Sequence, residues 1–379
     1  MMRPVIDWRS LAAMFVVTAG CHSVPAPEHA TYRVQSDCTR IARCFNRVQH
    51  ALDAIHLAAS DEWVNLQVGP GDYYEKIYVQ SSKLRIIGAG RDVTRIYYDA
   101  VAQSAGKYHR HQWGTPGSAT LSINATDVTL ENLTIENTFD YLVNDALPAT
   151  DPRKLKHSQG VALLLDRHSD RVFLNHVVLK AYQDTLFANG KRAYVLNSTI
   201  AGNVDFIFGN GQLLIEDSVV TSRPRGRVFR PGQIQSSITA PSTPLSQKIG
   251  IVLHRSALTR EEGVPERSVT LGRPWHPTTT FSDGRYADPS AVGQASFIDC
   301  FMEAHINEQH WSSMRGTARD GSKTAVFRPQ ASRFFESGSS GPGARHVDLG
   351  IEWTQALSID EVYRELFRDW PPLMNRIRH

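Results

Sequence analysis

A single all-β solenoid, a parallel β-helix, is the fold this sequence predicts, and three observations carry it. Short runs with β-rich composition follow one another along most of the chain, divided by Gly, Asn, Asp and Ser turns: "WVNLQVGPG", "KIYVQSSKLRIIGAG", "ATLSINATDVTLENLTIENT", "VFLNHVVLKAY" and "QLLIEDSVVTS" among them. The runs also repeat one another. Aligning "TLENLTI", "FLNHVVL", "VLNSTIA", "LIEDSVV", "VLHRSAL" and "FIDCFME" puts Asn132, His176, Ser198, Asp217, Arg255 and Cys300 in register, 44, 22, 19, 38 and 45 residues apart. These are single or double multiples of a period of roughly 20, as in a coil whose rungs bury their faces against one another. The third observation is the lack of tight two-residue hairpins, which sets the pattern against a β-sandwich.

The elements follow in order. Arg3 and Arg9 flank the start of a short apolar stretch, Leu11–Val17, which runs into Thr18-Ala19-Gly20-Cys21. This is the pattern of a signal peptide over residues 1–21, and the stretch is too short to span a bilayer. Ala-Gly-Cys resembles a bacterial lipobox that would lipidate Cys21, the only membrane attachment expected; cleavage near Ala26 is the alternative. The expected location is therefore extracellular, or the outer membrane through that lipid. A mobile segment is expected over 22–32 and a single domain over 33–379. "CFNRVQHALDAIHLA" carries Val48, Ala51, Ala54 and Ile55 at helical spacing, the only substantial helix before a helical C-terminal tail. The intervals 101–118, 139–157 and 221–248 are expected to leave the coil as loops. Cys38 and Cys44 are near enough to bridge in an oxidising compartment, whereas Cys300, within "ASFIDCFM", reads as a small buried hydrophobe.

Composition narrows the function. The net charge of +3 and the absence of a long Lys/Arg run exclude a nucleic-acid argument and fit an anionic substrate. A monomer is expected. "HRHQWGT" (109–115) has two histidines without a carboxylate or cysteine at ligand spacing, so it reads as a solvated loop. No phosphate-binding or dinucleotide glycine pattern occurs, and neither metal nor cofactor is expected.

Polar residues in apolar strands point to chemistry. "AYQDTLFA" carries Gln183 and Asp184, and 21 residues later "GNVDFIFG" carries Asp205. One rung apart, the two carboxylates would face each other at about 4.8 Å, the strand spacing, and could not both be comfortably ionised. One acid and one base result. Gln159 in "HSQGVALLL" lies about one rung earlier and offers amide donors, and "LGRPWHP" supplies Arg273, a bidentate cation, and the broad face of Trp275.

"GDYYEK", "SQGVAL", "AYQDTLFA", "GNVDFIFG" and "LGRPWHPTTTFSDGRYADP", in this order over about residues 35–345, resemble the signature blocks of the pectin methylesterases of plant-associated bacteria. The resemblance implies a right-handed parallel β-helix that demethylates polygalacturonate. It implies Asp205 as nucleophile, Asp184 as general acid then base, Gln159 and Gln183 as oxyanion amides, and Arg273 as the residue that positions the nucleophile. Trp275, Phe208, Thr115, Trp311 and Met314 resemble residues that contact the sugar chain. The sequence departs from the family pattern at Gly160, Leu164, Phe187 and Asn203, which bears on subsite preference and not on the reaction. The alternatives are an esterase or thioesterase of another substrate, and a catalytically silent polysaccharide-binding coil. A lyase would bring an acidic calcium cluster, which is not found.

Overall fold

Six successive corners that lead out of the largest sheet are each turned by one residue in the left-handed backbone region, where Asn and Asp are favoured among non-glycine residues. Asn132, His176, Asn197, Asp217, Arg255 and Asp299 have φ between 46° and 55° and link a strand of one sheet to a strand of the next. The expected register is right at four of these corners. At the other two the corner falls one residue earlier, on Asn197 and Asp299, and Ser198 and Cys300 turn inward behind it.

The computed structural model describes residues 29–39, 41–107, 114–230, 232–345, 348 and 356–370. The expected leader with Cys21 and the two histidines of "HRHQWGT" lie outside them. The described coil consists of three parallel sheets of eleven, eight and seven strands. One column through the eleven-stranded sheet shows why it holds: Leu66, Ile86, Leu130, Leu174, Val195, Ile215, Leu253 and Phe297 pair in register on eight successive strands, all essentially inaccessible. Each such side chain stabilises by about 1.5–3 kcal/mol relative to exposure.

Intervals of about 40 residues are not double periods. Leu130 pairs directly with Leu174, and Ile215 with Leu253, so each long interval is one rung enlarged by a loop. A stacked coil fixes its strands and leaves the excursion between them free. The interval 221–248 also contains a coil strand, Ser236–Pro241, so the excursion there is shorter than expected. The interval 139–157 carries a short helix, Tyr141–Ala146. A tight hairpin does occur, Thr278–Phe281 with Gly284–Ala287, closed by Ser282-Asp283 of "FSDGRY", but it stands outside the three sheets.

The helix Val48–Ala58 begins four residues into the expected span, since Cys44–Phe45 pair as a strand, and Cys38 and Cys44 form a disulfide. It buries Val48, Ala51, Leu52 and Ile55. Its N-terminus is capped from a distance, Glu75 accepting from the Val48 and Gln49 amides at 2.9 and 3.1 Å, which gives the Glu of "GDYYEK" a structural role. The first strand, Ala30–Val34, starts inside the stretch expected to be mobile. At the other end the helix Ile359–Phe367, closed by a Ser358–Glu361 capping box, lays Val362, Leu366 and Phe367 on the outer face of the eleven-stranded sheet against Phe173, Tyr194 and Leu214. Cys300 is 1% exposed and its thiol is pushed up to about 12 by burial, an inert core position.

Candidate active site

The seven-stranded sheet positions the chemistry. Its strands Leu163–Leu165, Leu186–Ala188 and Ile207–Gly209 are three residues long and pair Leu163 with Leu186 and Leu186 with Ile207. Two residues before each of the last two strands stand Asp184 and Asp205, in equivalent positions on adjacent rungs. Both adopt the left-handed conformation, φ 70° and 50°, which aims the side chain away from the strand's own ladder. The backbone is fixed by the neighbouring rungs: the Asp184 amide donates to the Val204 carbonyl at 3.1 Å and the Asp205 amide to that of Ser237 at 2.8 Å. Asn203, fully buried, braces the corner by donating to the Pro224 carbonyl and accepting from the Val204 amide.

The two carboxyls sit in opposite environments. Arg273 follows the strand Val269–Gly272, two rungs beyond Asp205, and reaches back with Nε at 2.7 Å and Nη2 at 2.6 Å from the two Asp205 oxygens. This fork fixes the carboxylate and compensates its charge. Asp205 in turn holds the Arg273 guanidinium above its ordinary value. Asp184 is 8% exposed and makes no side-chain hydrogen bond among the described residues. Burial, and after it the Asp205 charge, push its pKa well above the ordinary carboxylate value, and the pull of Arg273 does not reverse this.

The amides lie beside the pair. Gln183 accepts from the Ser158 hydroxyl at 3.3 Å, its NH2 group makes no hydrogen bond among the described residues, and it lines a cavity of about 400 Å³ together with Val204 and Arg273. Register places Gly160, not Gln159, opposite Gln183, and the Gly160 amide donates to the Gln183 carbonyl. Gln159 is thus one residue out of the expected stack, and its amide oxygen is buried without a partner among the described residues. A side chain at 160 would meet Asn137 Oδ1 at 2.8 Å, so the glycine here goes with that asparagine.

Two walls flank the pair. On one side Phe208 stacks on Phe187 at 4.2 Å, and the edge of Trp275 meets both, at 5.6 and 6.1 Å; Leu164 and Met314 complete this apolar surface. On the other, the loop 223–235 brings Arg225, Arg227 and Phe229 to the cavity. That loop is clasped to the helix Tyr141–Ala146 by a fork from Arg225 to Asp145 at 2.9 and 3.0 Å. Burial works to raise the Asp145 carboxyl, but Arg225 and Arg227 hold it below its ordinary value. This wall was not foreseen, although "RPRGRVFR", four arginines in eight residues, was its signal.

The other expected sugar contacts fare differently. Thr115 opens the short turn Thr115–Ser118 ahead of the strand Leu121–Ile123, two rungs before that of Asp184. Trp311 is not at the groove: it is 5% exposed, stacked on Phe334 at 4.7 Å and edge-on to Phe297, and closes the coil's core. Its apolar ring is better covered inside than beside the polar groove.

The chain is 38% identical to Pectinesterase A of Dickeya dadantii over 96% of its own length and 98% of that protein's. Its fold matches the pectin methylesterase of Erwinia chrysanthemi with a TM-score of 0.80 at 37% identity, covering 90% of this chain and 98% of the other. A pectin methylesterase solved in complex with a hexasaccharide matches with a TM-score of 0.79, also at 37% identity and the same coverage. The family model described as Pectinesterase matches residues 34–345, and the chain belongs to that family, a carboxylic ester hydrolase built on a parallel β-helix.

Proposed function

We propose that this protein hydrolyses the C6 methyl esters of polygalacturonate, with Asp205 as nucleophile and Asp184 as acid and then base. The observation that carries the reading is the contrast between two carboxyls on adjacent rungs, one forked by Arg273 and one buried without a donor. Asp205 attacks the ester carbonyl, and the oxyanion that forms is met by the NH2 groups of Gln183 and Gln159. The Gln159 side chain makes no hydrogen bond among the described residues, so none has to break for its donor to serve the oxyanion. As the tetrahedral species collapses, the proton of Asp184 goes to the departing methoxide and methanol leaves, with an anhydride between the galacturonate carboxyl and Asp205. Asp184, now a carboxylate, takes a proton from water; the hydroxyl attacks the anhydride, which frees the galacturonate and restores Asp205. The aromatic wall of Phe187, Phe208 and Trp275 suits the apolar faces of sugar rings and methyl esters, and the arginine wall suits free carboxylates. The hexasaccharide bound by a related pectin methylesterase supports a polymeric ligand of this kind.

Methanol release from highly methylated pectin tests the reading. It is expected from the wild type and lost by at least about 10³-fold in Asp205→Ala with the circular dichroism unchanged. A protein that cleaves a simple thioester and releases no methanol overturns it. The Cys38–Cys44 disulfide supports an oxidising compartment, and secretion is the location we propose; fractionation of producing cells checks it.

A further inference from the structure

A second cavity of about 590 Å³ lies at the opposite ends of the strands that carry the two aspartates. Strand Leu186–Ala188 runs from Asp184 to Asn189, and Ile207–Gly209 from Asp205 to Asn210. The cavity's rim therefore begins five residues of extended chain from the carboxyl pair, about 16 Å. Halfway along, on the outer face, stands the stacked pair Phe187 and Phe208.

The lining is chemically distinctive. Five cations, Arg167, Arg171, Lys191, Arg192 and Arg368, face the cavity against three carboxylates. Arg192 is only 8% exposed and forms a rigid floor, its Nε and Nη2 on Asp170 at 2.9 and 2.8 Å and its Nη1 on Asp369. Arg167 and Lys191 are exposed and enter no ion pair among the described residues. Asn189 and Asn210 occupy equivalent places on adjacent rungs, and their side-chain amides make no hydrogen bond among the described residues. Gln212 lines the same cavity, its amide oxygen buried and unpartnered among the described residues. Fixed cations, uncommitted amides at the spacing of one sugar unit, and an orphaned acceptor form a set that takes a ligand bearing both carboxylates and hydroxyls.

We propose that this cavity binds unesterified galacturonate units of the same polymer whose esters are cleaved at Asp205. The inference rests on the pectin reading above. Once a stretch has lost its methyl groups, its carboxylates are drawn along the aromatic surface onto Lys191, Arg167 and the amides. The chain is then tethered, and neighbouring esters meet the active site at a raised effective concentration. None of these residues touches the reacting ester.

Two variants test the cavity. Arg167→Glu combined with Lys191→Glu reverses two exposed, unpaired charges, and Gln212→Leu removes the orphaned amide without changing charge. Binding of unesterified decagalacturonate, read by calorimetry, is expected to weaken roughly five-fold in each. The KM for long methylated pectin rises by a similar factor, while kcat/KM on methyl-esterified trigalacturonate, too short to reach both places, stays at the wild-type value. Unchanged decagalacturonate affinity in both variants overturns the proposal. So does an equal loss on trimer and polymer, which marks a structural effect, or an effect of the charge reversals alone, which marks diffuse attraction. If the wild type releases no methanol from any pectin, the reading of the active site fails, and the decagalacturonate titrations still decide the cavity separately.

Discussion

Two buried carboxyls in this coil, Glu216 and Asp184, are both largely closed to solvent and have opposite fates. Glu216 is 1% exposed on the outer face of the eleven-stranded sheet, beneath the C-terminal helix. Tyr194 donates to it at 2.6 Å, Tyr363 donates from the helix above, His254 Nδ1 lies at 2.6 Å and Arg255 Nη2 at 3.1 Å. Burial alone would raise this carboxyl, but the donors more than offset it and its pKa is lowered. Asp184 is 8% exposed, has no donor, and faces another carboxylate. Desolvation, which pushes both carboxyls up, therefore yields an anchor where donors saturate the group and a proton carrier where they are withheld. Burial does not mark a reactive carboxyl; unsatisfied burial beside a groove does.

The largest test of this contrast is Asp184→Asn, expected to lower kcat for methanol release by about 10³-fold or more. Its stability should not fall. Because the folded pKa is raised, the wild-type carboxyl's contribution to stability is fully present below the ordinary value of 3.8 and is lost as pH rises through the folded value. The variant is therefore at least as stable as wild type at pH 7, an advantage that vanishes below pH 3.8; a lower melting temperature at neutral pH breaks the comparison. In the wild type, kcat declines as pH rises through the raised pKa and the acid is lost.

Next comes Arg273→Lys, which keeps the charge and loses the fork. Activity should drop about 100-fold with little change in melting temperature. Retention of full activity would mean that charge alone positions Asp205.

Glu216→Gln is the mirror of the first variant. Unfolding by denaturant should show a loss of about 2–4 kcal/mol, with kcat unchanged. Since this pKa is lowered in the folded state, its stabilisation exists above the ordinary value of 4.5 and fades as pH falls through the depressed one, so the two proteins converge in strong acid. A loss of kcat without a loss of stability would reverse the roles assigned.

His305 sharpens the comparison from a third side. It is fully buried, neither ring nitrogen has a partner among the described residues, and burial pulls its pKa down to about 3, yet it does not line the cavity beside the aspartates. Above the ordinary value of 6.5 it contributes nothing pH-dependent; below it the unfolded chain takes up a proton that the folded one refuses. Stability should fall by about 1.4 kcal/mol per pH unit from there down, a slope that His305→Leu removes without touching activity. Frustration by itself does not make a site.

What was legible in the sequence follows from how far each interaction reaches. Asp184 and Asp205 were readable because a repeating coil turns a spacing of 21 residues into adjacency. The corners at Ser198 and Cys300 were misread by one residue because the αL requirement falls on Asn197 and Asp299, and the eye follows the apolar pair instead. Gln159 slipped by one for a related reason, since the rung that holds it is entered from a long loop with its own length. Arg273 could be placed only through family resemblance. The Glu216 cluster gathers donors from 22, 38 and 147 residues away, the last on a separate helix, and no local pattern announces that. Trp311 shows the limit of the resemblance itself, because a motif carries residue type but not the side of the wall on which a ring will lie.

Asp184 and Asp205 sit at the head of the fourth and fifth of the seven strands that make their sheet, with covered rungs on both sides. A stacked coil opens by fraying, terminal rungs first, because each rung is held only by its neighbours. The central rungs are thus the last to exchange their amide hydrogens on warming. Wear at the N-terminal end is absorbed by rungs that do no chemistry, whereas the seventh strand leads straight into Arg273, so fraying from that side would loosen the fork on Asp205 before either aspartate's own rung opened.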